Sequence, residues 1–143
     1  MKYLLDTCVV SELANRHPVP GVLEWLKAQD SESLYLSVVT VGELRKGIAK
    51  RGGDERGLKL EKWLREDILG AFSDRILPVD NEVALEWGRL CGEAERTGHK
   101  RPAVDALIAA TATVHGLQLV TRNVSDMEGM GLRLPILNPF PAN

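Results

Sequence analysis

Five residues spread along the chain carry the most suggestive chemistry: Asp6, Glu43, Asp105, Asn123 and Asp126. All offer oxygen, and no histidine or cysteine cluster accompanies them. Two unit charges 4 Å apart repel by about 4 kcal/mol at an effective dielectric of 20. A group of three or four carboxylates would therefore consume much of the roughly 5–15 kcal/mol that holds a domain together. Such a group persists only if protons or cations neutralise it, and an oxygen-only donor set selects Mg²⁺ or Mn²⁺. Three of the acids also have ordinary structural uses. Asp6 can cap a following helix. Glu43 closes the capping-box pattern Thr40-Val41-Gly42-Glu43. Asp105 can be steadied by the positive end of its own helix. Which use applies depends on whether the fold gathers them.

The elements that must position them follow from periodicity and punctuation. Strands are predicted over 2–6, 34–37, 76–79 and 118–121, with a fifth, edge strand over 135–137. Helices are predicted over 7–14, 22–28, 40–50, 55–72 and 82–96. A further helix opens at Pro102, which suits a first helical position, and stops at Gly116. On that helix Asp105 shares a face with Ile108, Ala109 and Ala112. A polar loop is predicted over 122–130. Strands alternating with helices imply a parallel sheet with right-handed crossovers. The predicted fold is one α/β domain over 1–143, a three-layer α/β/α sandwich with a mainly parallel four- to five-stranded sheet. In such sheets functional groups collect beyond the carboxyl ends of the strands, where all five residues fall.

Composition narrows the alternatives. With 44% hydrophobic and 27% charged residues the chain reads as a soluble globular protein of the cytoplasm, with free thiols at Cys8 and Cys91. No apolar run approaches the roughly 18 residues of a membrane span. Net charge is −2, yet 45–65 holds eight Lys or Arg against three acids, a local +5 that is either a solvated face or a phosphate-facing one. His17, His99 and His115 lack zinc spacing, and there is no phosphate-binding glycine loop or nucleophile elbow.

Several pieces, in order, resemble the PIN-domain family, specifically the VapC and FitB-like toxins of bacterial toxin–antitoxin pairs. They are LLDTCVVSEL (4–13), LSVVTVGELRKGI (36–48), ILPVD (76–80), PAVDALIAATATVHGLQLVTRNVSD (102–126) and LNPF (137–140). The TRN triplet and the NPF ending resemble the FitB-like branch. The resemblance implies a Mg²⁺- or Mn²⁺-dependent endoribonuclease whose acids are Asp6, Glu43 and Asp105. Its fourth ligand is Asn123 or Asp126, and the Thr121 hydroxyl orients a site carboxylate. Arg45, Lys46 and Arg122 are the basic residues nearest by sequence that would hold RNA. The resemblance also implies a cognate antitoxin, a small DNA-binding protein that covers the cleft, a homodimer and a larger toxin–antitoxin complex. Trp25 and Trp63 lie on helices that either form the antitoxin groove or belong to the core. An alternative is a weakly active or inactive module that binds the antitoxin and supports its binding to operator DNA.

Overall fold

β1 (Tyr3–Leu5) lies in the middle of the sheet although it comes first in the chain. The computed structural model describes residues 1–142. β2 (Leu34–Ser37), β3 (Ile76–Leu77) and β4 (Gln118–Val120) complete four parallel strands in the order β3-β2-β1-β4. The chain steps outward from β1 to β2 and β3, then returns to place β4 on the other side of β1. The strand order therefore reverses between β1 and β4, and the crevice at their carboxyl ends is where such a sheet accepts a ligand.

Alternate residues of each central strand serve opposite faces, as the pleat requires. Leu5, Leu34, Leu36 and Val120 pack into a core under α1 (Thr7–Ser11), α2 (Pro20–Ala28), α3 (Val38–Ala49) and α4 (Glu55–Lys62). A π-helical segment, Trp63–Ile68, continues α4 into α5 (Leu69–Ala71). One wider turn there lets both Leu64 and Ile68 face the first core. Leu4 and Leu119 pack into a second core against α6 (Asn81–Arg96) and α7 (Ala103–His115). Trp25 and Trp63 are partly buried against the first core, Trp25 edge-on to Tyr3 with ring centroids 5.0 Å apart.

Four expectations need correction. The predicted fifth strand is a single parallel bridge, Val120 to Leu137; Leu137 N–H donates to Leu119 and Thr121 N–H donates back to Leu137. Pro135 and Pro139, two residues to either side and without an N–H, leave no longer ladder. Pro102 flanks α7 as its cap rather than occupying the first turn. The segment predicted as a polar loop contains α8 (Val124–Met127), which buries Met127 in the second core. Finally, α3 begins two residues before Thr40, capped by Ser37 Oγ, which accepts from Val39 N–H at 3.1 Å. The Thr40–Glu43 spacing is therefore not a capping box. Gly116 does stop α7, in the left-handed conformation at φ 65°. No helix among the described residues is long and apolar enough to cross a membrane.

Candidate active site

Asp6 sits where β1 turns into α1, and it is both cap and crevice residue. Its Oδ1 accepts from Thr7 N–H at 2.8 Å, while Oδ2 accepts from the Thr121 hydroxyl at 2.7 Å. The residue is only 4% exposed. Thr121, fully buried just after β4, also accepts from Asn123 N–H at 2.9 Å. One hydroxyl thus joins the ends of the two strands that flank the crevice.

Freed from capping, Glu43 lies in the second turn of α3. Its Oε1 accepts from the Thr7 hydroxyl at 2.5 Å, and Thr7 Oγ1 lies 3.3 Å from the buried Thr40 Oγ1. Thr7 therefore holds Asp6 with its backbone and Glu43 with its side chain. Asp105 enters half-buried from the first turn of α7, one turn before the buried Ile108 and Ala109. Burial, then Asp6, Asp126 and Glu43, push the Asp105 carboxyl above its ordinary value of 3.8. Asp6, Asp126 and Glu43, from three other elements, thus lie near enough to raise the Asp105 carboxyl further than burial alone. Among the described residues no three acidic, histidine or cysteine side chains stand close enough to enclose an ion unaided. All-oxygen donors at that spacing suit a small hard cation that keeps part of its water shell.

Asn123 caps α8 through its backbone, and its exposed side chain makes no capping bond. Asp126 is exposed in the first turn of α8, and of the two candidates for a fourth ligand it is the one whose charge Asp105 feels. The three basic candidates part company. Arg45 Nε lies 3.1 Å from Glu61 Oε2. Lys46 is exposed on α3. Arg122 stacks on Phe140, 4.3 Å from guanidinium carbon to ring centroid, and lies 4.0 Å from Glu12 Oε1.

Sequence reasoning passed over Thr7, Cys8 and Glu12. The hydroxyl directly after the strand-ending acid was the available signal for Thr7. Cys8 Sγ lies 3.7 Å from Thr121 Oγ1 and accepts from Arg122 N–H at 3.5 Å; burial pushes its thiol up, so it is packing beside the acids rather than a nucleophile. Glu12 is 6% exposed and accepts from Val19 N–H at 3.0 Å, holding the loop after α1 beneath Arg122. From Glu43 a groove of about 420 Å³ runs past Ile48 and Leu60 to Trp63.

The family model for the PIN domain matches residues 3–125. The chain is 39% identical to VapC ribonuclease Y4jK of Sinorhizobium fredii, over 96% of each protein. It is 36% identical to toxin FitB of Neisseria gonorrhoeae, over 96% of this chain and 97% of FitB. Among solved structures, FitAcB from Neisseria gonorrhoeae superimposes with a TM-score of 0.86 at 36% identity, covering 96% of this chain and 97% of that one. FitAB bound to a DNA fragment gives 0.87 at 33% identity, covering 99% and 97%. The two central strands, the acids at their carboxyl ends and near-full-length likeness agree: the chain belongs to the PIN-domain family and is of the VapC and FitB type.

Proposed function

We propose that this chain is the toxin of a toxin–antitoxin pair and acts as a divalent-metal-dependent endoribonuclease. The observation that carries the reading is that Asp6 and Glu43, both held by Thr7, face the half-buried Asp105, whose carboxyl is raised by burial and then by Asp6, Asp126 and Glu43. Asp6, Glu43 and Asp105 would hold Mg²⁺ or Mn²⁺, with Asp126 as the preferred fourth ligand and Asn123 as the neutral one. Such an ion, when bound, supplies Lewis acidity that yields a nucleophilic water at neutral pH and offsets phosphate charge. The chain's own residues prepare that chemistry. Thr121 donates its one proton to Asp6 Oδ2, and Thr7 donates its proton to Glu43 Oε1, so both carboxyl groups are oriented as acceptors. Water oxygen bonds to phosphorus, the bond to the 3′ oxygen breaks, and that oxygen leaves with a proton. The products carry 5′-phosphate and 3′-hydroxyl ends.

RNA as substrate is supported by relatives named ribonucleases, and an antitoxin partner by relatives solved as toxin–antitoxin complexes, some on DNA. The groove from Glu43 to Trp63 offers an apolar helix of that partner a seat that also covers the acids. A homodimer and a larger complex with antitoxin belong to the same proposal.

The test is cleavage of total RNA by antitoxin-free protein in Mg²⁺, Mn²⁺ or EDTA, with 5′ ends sequenced. Wild type should cut only with a divalent ion, and Asp6→Asn and Asp105→Asn should fold yet lose at least about a hundredfold in rate. Cleavage that survives in either variant, or in EDTA, would overturn the assignment.

A further inference from the structure

The sequence concentrates positive charge at 45–65, but the fold neutralises much of it. Arg45 and Arg65 share Glu61, Arg51 pairs with Asp54, and Lys59 pairs with Glu55. Arg56 donates to the Ala14 carbonyl. Lys46, Lys50 and Lys62 keep no carboxylate partner there among the described residues, and a second group of such cations lies at the far end of α6. There Arg96, His99 and Arg101 line a pocket of about 360 Å³ together with Gly129 and Gly131. The acid lining it, Glu93, is taken up by Arg89 at 3.1 Å, and Arg89 is also held by both oxygens of Glu86.

Two features make this pocket fit for an anion. A helix carboxyl end ordinarily presents bare carbonyls, which repel one. Here those carbonyls are occupied: Glu93 O accepts from Thr97 N–H, Glu95 O from Gly98 N–H, and Ala94 O from His99 N–H at 2.7 Å. The second feature is Gly129, at φ 83°. A Cβ there would lie 2.7 Å from Arg101 Nη2, so a side chain at 129 would push that guanidinium off the turn. Arg101 Nη1 also donates to the Asp126 carbonyl at 3.4 Å, and Arg101 itself stands four residues before Asp105 in the chain. Arg101 thus ties the pocket to α8, the element that carries Asp126.

We propose that this pocket binds a backbone phosphate of the RNA strand, with Arg96 and Arg101 as its charged ligands and His99 as a further donor. A crevice lined with carboxylates repels a polyanion, and arginines in the pocket that Arg101 joins to α8 supply the opposing attraction and set which stretch of strand lies over the acids. This inference rests on the nuclease reading above and adds a subsite to it.

The test measures binding of a labelled single-stranded RNA to the full chain in EDTA, where no cleavage is expected, across a salt series. Arg96→Gln touches none of the acids and is the deciding variant; Arg101→Gln is the second. Each should weaken binding about three- to tenfold and make the slope of log K against log salt shallower by roughly 0.7, the loss of one single-strand phosphate contact. With saturating RNA and Mg²⁺, Arg96→Gln should retain wild-type kcat and raise KM. Unchanged slopes in both variants, with wild type still binding and cutting RNA, overturn the subsite and leave the nuclease reading intact. A wild type that neither binds nor cuts RNA overturns both. If inorganic phosphate shifts the Arg96 side-chain resonances while the RNA slopes stay unchanged, the pocket takes small anions and the RNA proposal fails.

Discussion

Thr121→Val removes one oxygen from a fully buried site and leaves the shape almost unchanged. The lost hydroxyl donates to Asp6 Oδ2 at 2.7 Å and accepts from Asn123 N–H at 2.9 Å. A hydrogen bond to a charged, buried carboxylate contributes about 1.5–3 kcal/mol, and the weak Cys8 thiol donor 3.9 Å from the same oxygen replaces little of it. The Asn123 amide belongs to an exposed residue and can turn to water, so its bond adds only about 0.5–1 kcal/mol. The sum is about 2–4 kcal/mol. At roughly 2.1 cal/mol/K per residue, unfolding this chain has an entropy of about 0.3 kcal/mol/K, so Tm should fall by about 7–13 °C. The assay is urea and thermal unfolding of metal-free protein followed by circular dichroism. Thr121→Ser, which keeps the oxygen and loses one methyl, should recover more than half of the deficit. A valine variant within about 0.5 kcal/mol of wild type, or a serine variant no better than valine, would refute the claim that this hydroxyl holds Asp6.

Other outcomes are equally checkable. The Asp105 carboxyl is raised above 3.8, so its contribution to stability is complete below that pH and is lost as pH climbs through the raised value. Metal-free Asp105→Asn should therefore melt above wild type at neutral pH, with the gap closing below about pH 4; a constant gap across pH sinks this. Glu12→Ala strips Val19 N–H and Arg122 of their buried partner, and equilibrium unfolding should show a loss of about 1.5–3 kcal/mol, whereas a neutral result would mean water replaces the carboxylate. Gly116→Ala forces a side chain into φ 65° and should cost about 1–2 kcal/mol by the same measurement, with no change in RNA binding.

The strands, the long helices and the meeting of distant acids at one sheet edge were legible because hydrophobic periodicity and strand-end position are local properties. Glu43 was harder. Thr40-Val41-Gly42-Glu43 has the spacing of a capping box, but Ser37 starts α3 earlier and releases Glu43 into the crevice. Competition between two nearby caps is settled by where β2 ends, which spacing alone does not encode. The fifth strand failed for a related reason: Leu137 pairs beside β4, yet its neighbours cannot extend the ladder. The basic run at 45–65 left a solvated and a phosphate-facing reading open, because charge counted along a helix ignores which acid each cation meets. Arg45 and Arg65 converge on one glutamate, whereas Arg96 and Arg101 bound a second, shorter basic stretch, RTGHKR (96–101).

The bond from Thr121 to Asp6 spans 115 positions. Asp6 emerges early in synthesis, but the hydroxyl that steadies it arrives only after β4, when almost every other element has been made. A ribosome-bound nascent chain lacking β4 therefore has β2 on one side of β1 and the Thr7 amide on Asp6, but neither the strand nor the hydroxyl on the other side. Closing so long a loop is slow and uphill until the last contacts form. The crevice consequently closes late, and any chain cut short before residue 121 should carry Asp6, Glu43 and Asp105 but lack Asp126 and the hydroxyl that steadies Asp6.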